Sequence, residues 1–385
     1  MQAKFGEKMF NLSMKLLISV GFWKIMDNMN PKIIPFYRVY TYAARIYLLM
    51  LFVLVCIELY RQIVILRDFD RGLQLASTHI MLAIIYLKLR IYNNDKVLEL
   101  LREGISITNT FNKMNPDIQN IVLKQLTSCN SVNLPIVIMS ISIGIFFNIF
   151  RFFQARQLEN EGRVEEFIYF IYNPLNKLSV FVYLENVAAI FVSVLNSALQ
   201  TLLNTIIINL VTHIKVLHYQ FATYDINETG NQNEAKLLIK LKELIRSHQK
   251  LISYVDRLNK SISNAVLIEY SISSLTIAFT VITISKNENV YFYGSVLLLT
   301  TSQLYVFCTN ADDVTSESLE LGTAIYNSLW YERSQPIKKI VLIVMMRTKL
   351  PLALKIGKFG HMNAKSMISI CKAAHSYLSL FHGSN

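Results

Sequence analysis

Long apolar tracts separated by polar connections dominate the pattern of this 385-residue chain. A bilayer core about 30 Å thick needs about 20 mostly apolar helical residues to cross it. Seven tracts approach that length with few charges, and each of them predicts a membrane-spanning helix. In chain order the tracts are 39–60, 72–87, 133–150, 178–210, 261–285, 291–309 and 356–380.

The last tract differs from the others because three lysines interrupt it and make it amphipathic. A polar face on a spanning helix must point towards protein or water. Ser369, Lys372 and Ser376 fall on one helical face, which ends at Leu380. Such a face is typical of a pore-lining helix with an apolar constriction, and equally of a close helix-packing seam.

Helical periodicity continues beyond the apolar part of several tracts. The fourth pattern runs on to about Tyr224, so this helix should tilt or project beyond the membrane. Segments 232–260 and 316–346 carry apolar residues at helical spacing with charges on the opposite side. Asp312 and Asp313 are candidate caps for the second of these segments. Together the segments predict a helical subdomain outside the membrane.

Composition supports a membrane protein, since 53% of the residues are hydrophobic and only 17% are charged. The net charge is +12, but the basic residues are scattered between apolar tracts and form no nucleic-acid-binding stripe. We therefore expect membrane lipid, and no nucleic acid, around this chain. The four cysteines stand far apart and predict neither a disulfide framework nor a cysteine metal site.

The distribution of Lys and Arg predicts that the N-terminus lies in the cytoplasm. In that orientation the inside segments carry 26 Lys and Arg residues, whereas the outside segments carry eight. The inside segments are also the longer ones. They are 1–38, 88–132, 211–260 and 310–355.

No sequence motif for phosphate, dinucleotide, zinc-protease or serine-hydrolase chemistry is present, so we predict no enzymatic activity and no cofactor. His213 and His218 are five residues apart and fall on different helical faces, which predicts no metal site. Glu58 and Glu269 lie near tract ends, where snorkelling or interface capping explains them best. Glu185 lies within the fourth tract, where it could contact a ligand, bind a neighbouring helix or face an aqueous vestibule.

Aromatic side chains are frequent in the predicted outer halves of tracts two to six. Such rings suit a small apolar ligand, which is recognised by area and shape. For any single ring, a position facing lipid or in a belt at the membrane interface is the favoured alternative. Phe181, Tyr291 and Tyr293 share this pattern. The candidate ligand-binding residues are His79, Phe146, Phe147, Phe150, Tyr183, Val187, Phe191 and Phe279.

Ordered motifs in residues 303–385 resemble those of the insect odorant receptor family. The motifs are Gln303–Cys308, Thr315–Ser318, Ala324–Tyr331, Met346–Pro351, the Lys358-Phe359 pair and Lys372–Tyr377. The first 300 residues are similar to this family in hydropathy, length and loop sizes.

The resemblance implies an all-α membrane protein with seven transmembrane helices, an intracellular N-terminus and four subunits around a cation-conducting pore. It places a tetramer-holding anchor domain at 211–260 and 316–346, with Tyr326, Trp330 and Tyr331 as packing residues. It also implies an apolar gate at Leu380, with Ser376 one turn deeper.

The implied domain organisation has six parts. They are a cytoplasmic segment (1–38), transmembrane helices one to four (39–210), a cytoplasmic helical anchor (211–260), helices five and six (261–309), a cytoplasmic anchor helix (310–355) and a pore-lining seventh helix (356–385).

The connection 224–234 is short, as in the tuning receptors of the family. The co-receptor type has a long insertion at this place. The resemblance therefore implies an odorant co-receptor as partner, a small volatile organic ligand, and the plasma membrane of a sensory dendrite. The alternatives are an insect gustatory receptor and a G-protein-coupled receptor. The latter predicts an extracellular N-terminus and an Asp-Arg-Tyr-like triplet after the third span, where this chain reads FNIFRFFQ.

Overall fold

The computed structural model describes a helical protein, with residues 4–23, 32–67, 82–163, 172, 178–224, 234–285, 290–370, 372 and 376 defined. The helices are α1 (Phe5–Ser19), α2 (Ile34–Tyr60), α3 (82–92), α4 (Asp95–Thr110), α5 (Pro116–Asn160), α6 (Leu178–Thr223), α7 (Glu234–Ser285), α8 (Val290–Tyr326), α9 (Gln335–Thr348) and α10 (364–370). A π-helical turn, Arg61–Ile65, extends α2, and 3₁₀ turns lie at Phe111–Lys113 and Leu329–Glu332. The strands β1 (Lys355–Ile356) and β2 (Gly360–His361) form an antiparallel pair.

Five of the described helices are long and apolar enough to cross a membrane, namely α2, α5, α6, α7 and α8. These five contain the first, third, fourth, fifth and sixth predicted tracts. At 1.5 Å per residue, the 52 residues of α7 extend about 78 Å, more than twice the bilayer core. Part of this helix therefore projects beyond the membrane, as the periodicity of 232–260 predicts. Of the second tract, 82–87 are helical within α3, and 72–81 lie outside the described residues.

Helix α6 forms the centre of the molecule. Every residue from 197 to 214 is buried, and α6 packs mainly against α5, α8 and α1. Polar residues of this stretch, such as Gln200 and Asn204, are buried along with the apolar ones, so this part of α6 is enclosed by protein on all sides. The helix ends at Thr223, in agreement with the predicted extension to about Tyr224.

Two small helices complete the packing around α6. Helix α1 lies within segment 1–38, for which the sequence predicts no helix, and it packs against α4, α5 and α6. Helix α4 begins at Asn94, whose side chain accepts a hydrogen bond from the Lys96 amide at 3.0 Å. This side-chain cap satisfies one of the free donors of the first turn.

Asp312 and Asp313 lie inside the continuous helix α8, so their predicted role as helix caps is wrong. The chain breaks later, between Tyr326 and Gln335, because Pro336 fits only the first turn of a helix. Segment 316–346 is therefore the end of α8 followed by a separate helix, α9.

The predicted helix over 356–380 begins eight residues too early. Strands β1 and β2 occupy its start, with positive φ angles at Gly357 (54°) and Gly360 (154°). Glycine adopts these angles at little cost, so the chain turns here and forms no helix. Helix α10 then begins after Asn363, whose side chain accepts a hydrogen bond from the Ser366 amide at 2.9 Å.

Candidate functional site

Four aromatic rings from three helices form one contact chain, which we call the aromatic cluster. Phe147 of α5 lies 4.9 Å from Phe292 of α8, measured between ring centroids. Phe292 lies 5.2 Å from Tyr293, and Tyr293 lies 6.2 Å from Phe279 of α7. These separations are within the range of favourable aromatic pairs. The cluster presents a large apolar area where α5, α7 and α8 meet.

Other candidate ligand-binding residues lie apart from the aromatic cluster. Phe191 packs edge-on against Tyr47 of α2, with centroids 5.2 Å apart. Tyr183 lies 5.8 Å from the ring of Phe152. Phe146, Phe150 and Val187 are exposed, and His79 and the side chain of Phe181 lie outside the described residues. Two of the eight predicted residues, Phe147 and Phe279, are thus brought into one cluster.

Phe292 is the central member of the aromatic cluster and is absent from the predicted set. The sequence pattern includes its two neighbours, Tyr291 and Tyr293, but Tyr291 is 92% exposed and lies outside the cluster. A helical register counted back from the buried pair Gln303 and Phe307 reaches Phe292 after three turns. That register is the signal that would have identified it.

A polar cleft lies about three helical turns from the aromatic cluster, between α5, α6 and α8. Its wall includes the side chains of Asn133, Gln200 and Gln303, together with Phe307. The cleft measures about 10 Å³, close to the smallest space that holds one water molecule. Packing thus changes from apolar to polar along α5 and α8, the two helices that the cleft shares with the aromatic cluster.

A chain of buried amides crosses the helices beside this cleft. The side-chain amide of Asn310 on α8 donates to Oδ1 of Asn204 at 2.7 Å, and the side-chain amide of Asn204 donates to Oδ1 of Asn133 on α5 at 2.6 Å. Asn133 in turn donates to the Thr205 hydroxyl at 3.2 Å, which also contacts the Ser13 hydroxyl of α1 at 3.2 Å. Four helices are therefore joined by side-chain hydrogen bonds in a region shielded from water.

Two buried ion pairs determine the roles of Glu269 and Glu185. Glu269 of α7 pairs with Lys88 of α3 and accepts a hydrogen bond from Gln200 at 2.7 Å. Glu269 is thus a buried partner, and its assignment as a snorkelling or interface residue is wrong. Glu185 binds Arg151 of α5 at 3.1 Å, which selects the neighbouring-helix role from its three alternatives.

Glu58 is also buried, with 1% exposure, and it contacts groups of its own helix. Its carboxylate accepts a hydrogen bond from Gln62 at 2.7 Å and lies 3.6 Å from the guanidinium of Arg61. Its interpretation as a snorkelling or interface-capping residue is therefore wrong as well.

The start of α10 is tied to the membrane helices by one tyrosine. The hydroxyl of Tyr270 on α7 lies 2.8 Å from the Cys308 sulfur of α8 and 3.1 Å from the Ser366 hydroxyl of α10. The Tyr270 hydroxyl therefore links α7, α8 and the first turn of α10.

The predicted pore residues follow Ser366 along the last helix. Ser369, Lys372 and Ser376 are all exposed in the single chain, at the spacing of one helical face. Leu380, the predicted gate, lies outside the described residues.

The predicted anchor residues flank the break between α8 and α9. The indole of Trp330 donates to the Tyr326 carbonyl oxygen at 3.1 Å and packs against the core. Tyr326 and Tyr331 are 65% and 56% exposed, so their rings are available to a neighbouring surface.

Comparison with known proteins identifies relatives at the levels of family, sequence and fold. The family model described as 7tm Odorant receptor matches residues 73–375. Odorant receptor Or2 of Anopheles gambiae is 28% identical over 147 residues, 37% of this chain and 39% of that protein. Odorant receptor 10 of Aedes albopictus is 27% identical over 170 residues, which are 43% of this chain and 45% of that protein. The chain thus spans less than half the length of these curated relatives.

The fold is shared with a solved structure over nearly the whole chain. The insect olfactory receptor OR5 from Machilis hrabei, in complex with eugenol, superposes with a TM-score of 0.81 at 16% identity and covers 98% of both chains. The family is one of receptors and not of enzymes, and its match favours the odorant receptor prediction over the two alternatives. By its matched residues and its fold, this chain belongs to the 7tm odorant receptor family of insects.

Proposed function

We propose that this chain is the odorant-binding subunit of a ligand-gated, non-selective cation channel that detects small volatile molecules together with an odorant co-receptor. The aromatic cluster carries this proposal, because rings from three separate helices converge on one another. A ligand that inserts between such rings changes how the helices pack, which is a physical route from binding to gating.

The chemistry of the cluster favours a small, largely apolar ligand. Three of its four members are phenylalanines, and Tyr293 contributes the cluster's one hydroxyl. Binding at such a surface depends on buried area and shape, with few directional hydrogen bonds. The related receptor OR5 was solved in complex with eugenol, which supports a small-molecule ligand for the shared fold.

The contacts along α8 supply the proposed route to the pore. Phe292 lies in the aromatic cluster, and Cys308, about four turns later, contacts the Tyr270 hydroxyl. Tyr270 also contacts Ser366 at the start of α10. A ligand that favours one packing of α8 would shift the position of α10, which carries the proposed pore residue Ser369 and is followed by the exposed residues Lys372 and Ser376. Leu380, the proposed gate, lies outside the described residues.

The proposed assembly is a heterotetramer with the co-receptor in the plasma membrane of a sensory neuron. Exposed Tyr326 and Tyr331 would pack against neighbouring subunits, while Trp330 holds the local break in place from within the chain. Aromatic side chains are enriched at such protein interfaces.

The test is electrical recording from cells that express this chain with an odorant co-receptor. Odorants from a broad panel should evoke currents that the co-receptor alone does not give, and whose reversal potential follows the permeant cations. Phe292→Ala and Phe147→Ala should change the ranking of active odorants, because both remove rings from the cluster. Tyr291→Ala is the matched control, since its ring is 92% exposed.

Two results would count against the proposal. If the panel evokes no current beyond that of the co-receptor in cells where surface labelling detects the chain, the channel function is wrong. If currents appear but Phe292→Ala and Phe147→Ala leave the odorant ranking as it is, the ligand binds elsewhere in the receptor.

A further inference from the structure

Three metal-ligating side chains meet where α6 and α8 pack beyond their apolar tracts. His218 comes from α6, and Glu317 and Glu320 lie one turn apart on α8. One ligand atom of each residue lies within 4.8 Å of those of the other two. Around a tetrahedral Zn²⁺ with nitrogen and oxygen ligands, neighbouring ligand atoms are about 3.4 Å apart. Side-chain rotation is enough to close this difference, since all three residues reach solvent.

Glu317 already has a positively charged partner, and Glu320 has none among the described residues. Lys215, one turn before His218, holds its ammonium 3.3 Å from one oxygen of Glu317. The other oxygen of Glu317 lies 3.7 Å from Nδ1 of His218. Among the described residues, the carboxylate of Glu320 has no hydrogen-bond or ion-pair partner. A bound cation would therefore satisfy Glu320 and replace Lys215 as the counter-charge of Glu317.

A cavity opens directly beside the three ligands. It measures about 410 Å³, and its wall includes His218 and Glu320 together with Thr323 and Asn327. The cavity gives an ion a path to the ligands. It also leaves room for water, which completes the coordination when a protein supplies three ligands.

We propose that His218, Glu317 and Glu320 form a Zn²⁺ site that bridges α6 and α8. An imidazole ligand favours Zn²⁺ over Mg²⁺ and Ca²⁺, which prefer oxygen ligands alone. The two helices contribute ligands about 100 residues apart in the chain. Histidine spacing within α6 alone cannot show such a site, which is why the sequence predicts none.

The consequence of metal binding is a cross-link between the projecting parts of two membrane helices. Both helices continue into the membrane, where α6 forms the buried centre and α8 carries Phe292. A ligand that binds only the folded state stabilises it, in proportion to the logarithm of ligand concentration over Kd. Zn²⁺ should therefore raise the unfolding temperature of the whole receptor.

The test uses the full-length receptor, purified in detergent with a tag that lacks histidine and freed of metal by chelation. Zn²⁺ should raise the unfolding temperature, and Mg²⁺ at the same concentration should not. Isothermal titration should give one Zn²⁺ per chain. His218→Gln and Glu320→Gln should each weaken that affinity by more than about tenfold, because each removes a ligand. Lys215→Met should tighten binding, because it removes the competing ammonium.

His361→Gln is the matched control, since His361 is exposed in β2 and is not one of the three ligands, so this variant should bind Zn²⁺ as the wild type does. Glu320 is exposed and without a partner among described residues, so Glu320→Gln should fold normally. The proposal is overturned if the wild type shows no Zn²⁺-dependent shift. It is equally overturned if Glu320→Gln and His218→Gln shift as much as the wild type.

Discussion

The ammonium of Lys88 on α3 lies against the carboxylate of Glu269 on α7, with side chains that are 4% and 8% exposed. Gln200 of α6 donates a second bond to the same carboxylate. Three helices thus converge on one buried charge. Removing charges from water is costly, and the cost is recovered only when each charge keeps its partner.

Lys88→Met should strongly destabilise the receptor, because it leaves the Glu269 carboxylate buried without its counter-charge. The expected loss is about 3–5 kcal/mol in the free energy of unfolding. The double variant Lys88→Met with Glu269→Gln should recover much of this loss, since no unpaired charge remains. Thermal unfolding of the purified receptor in detergent measures both effects.

Lys96→Met is the control for loss of a lysine, because Lys96 is exposed on α4. It should change the unfolding temperature by little. A double variant no more stable than Lys88→Met alone would show that the ion pair is not the source of the effect.

The amide chain across α5, α6 and α8 leads to a second prediction. Asn204→Leu removes the middle member, which leaves the Asn310 amide and the Asn133 oxygen without their partners. Each buried group that loses its hydrogen bond costs about 1–3 kcal/mol. The unfolding temperature should fall clearly, whereas Asn160→Leu, at an exposed helix end, should leave it nearly unchanged.

Helix existence could be predicted from this sequence because hydropathy and periodicity are local properties of the chain. The pattern correctly predicts helix in tract 261–285 and in segment 232–260, and the structure joins the two into the single helix α7. The start of the last helix was missed because a hydropathy window averages over Gly357 and Gly360. Those two glycines determine the backbone of the hairpin, whereas the flanking apolar residues dominate the average.

Contacts between distant segments could not be predicted in the same way. Glu269 looked like an interface residue because its partner, Lys88, lies about 180 residues earlier in the chain. The register of α8 can identify Phe292 as an inward-facing residue, but its contact with the Phe147 ring of α5 cannot be predicted from periodicity within α8. Local pattern therefore identified the candidate surfaces, and tertiary packing decided which side chains meet.

Lys372 gives a prediction for the pore. If its exposed side chain faces the conduction path, its charge repels permeant cations. A unit charge about 8 Å from an ion in water contributes roughly 0.5 kcal/mol, a factor of about two in local cation concentration. Lys372→Ala should therefore raise unitary cation conductance by about that factor, and Lys372→Glu should raise it further.

Lys358→Ala is the control for this measurement, because Lys358 lies in the exposed turn between β1 and β2. Single-channel recording at low ionic strength gives the greatest sensitivity, since screening is weakest there. Equal conductance for wild type, Lys372→Ala and Lys372→Glu would place Lys372 away from the conduction path.

The contact between α1 and α4 leads to the last prediction. Gly6 approaches α4 so closely that an added Cβ would lie 2.5 Å from the Ile105 carbonyl oxygen and 2.9 Å from Oδ1 of Asn109. The Gly6 amide also donates to that Asn109 oxygen at 2.9 Å. Gly6→Ala must push the two helices apart, at an expected cost of about 1–3 kcal/mol. Gly294→Ala in α8 should instead stabilise by about 0.5–1 kcal/mol, because no described atom lies within 4 Å of its Cβ position and alanine favours the helix. Thermal unfolding of the two variants should therefore change in opposite directions, and a loss of stability in both would mean that helix packing does not decide the outcome at Gly6.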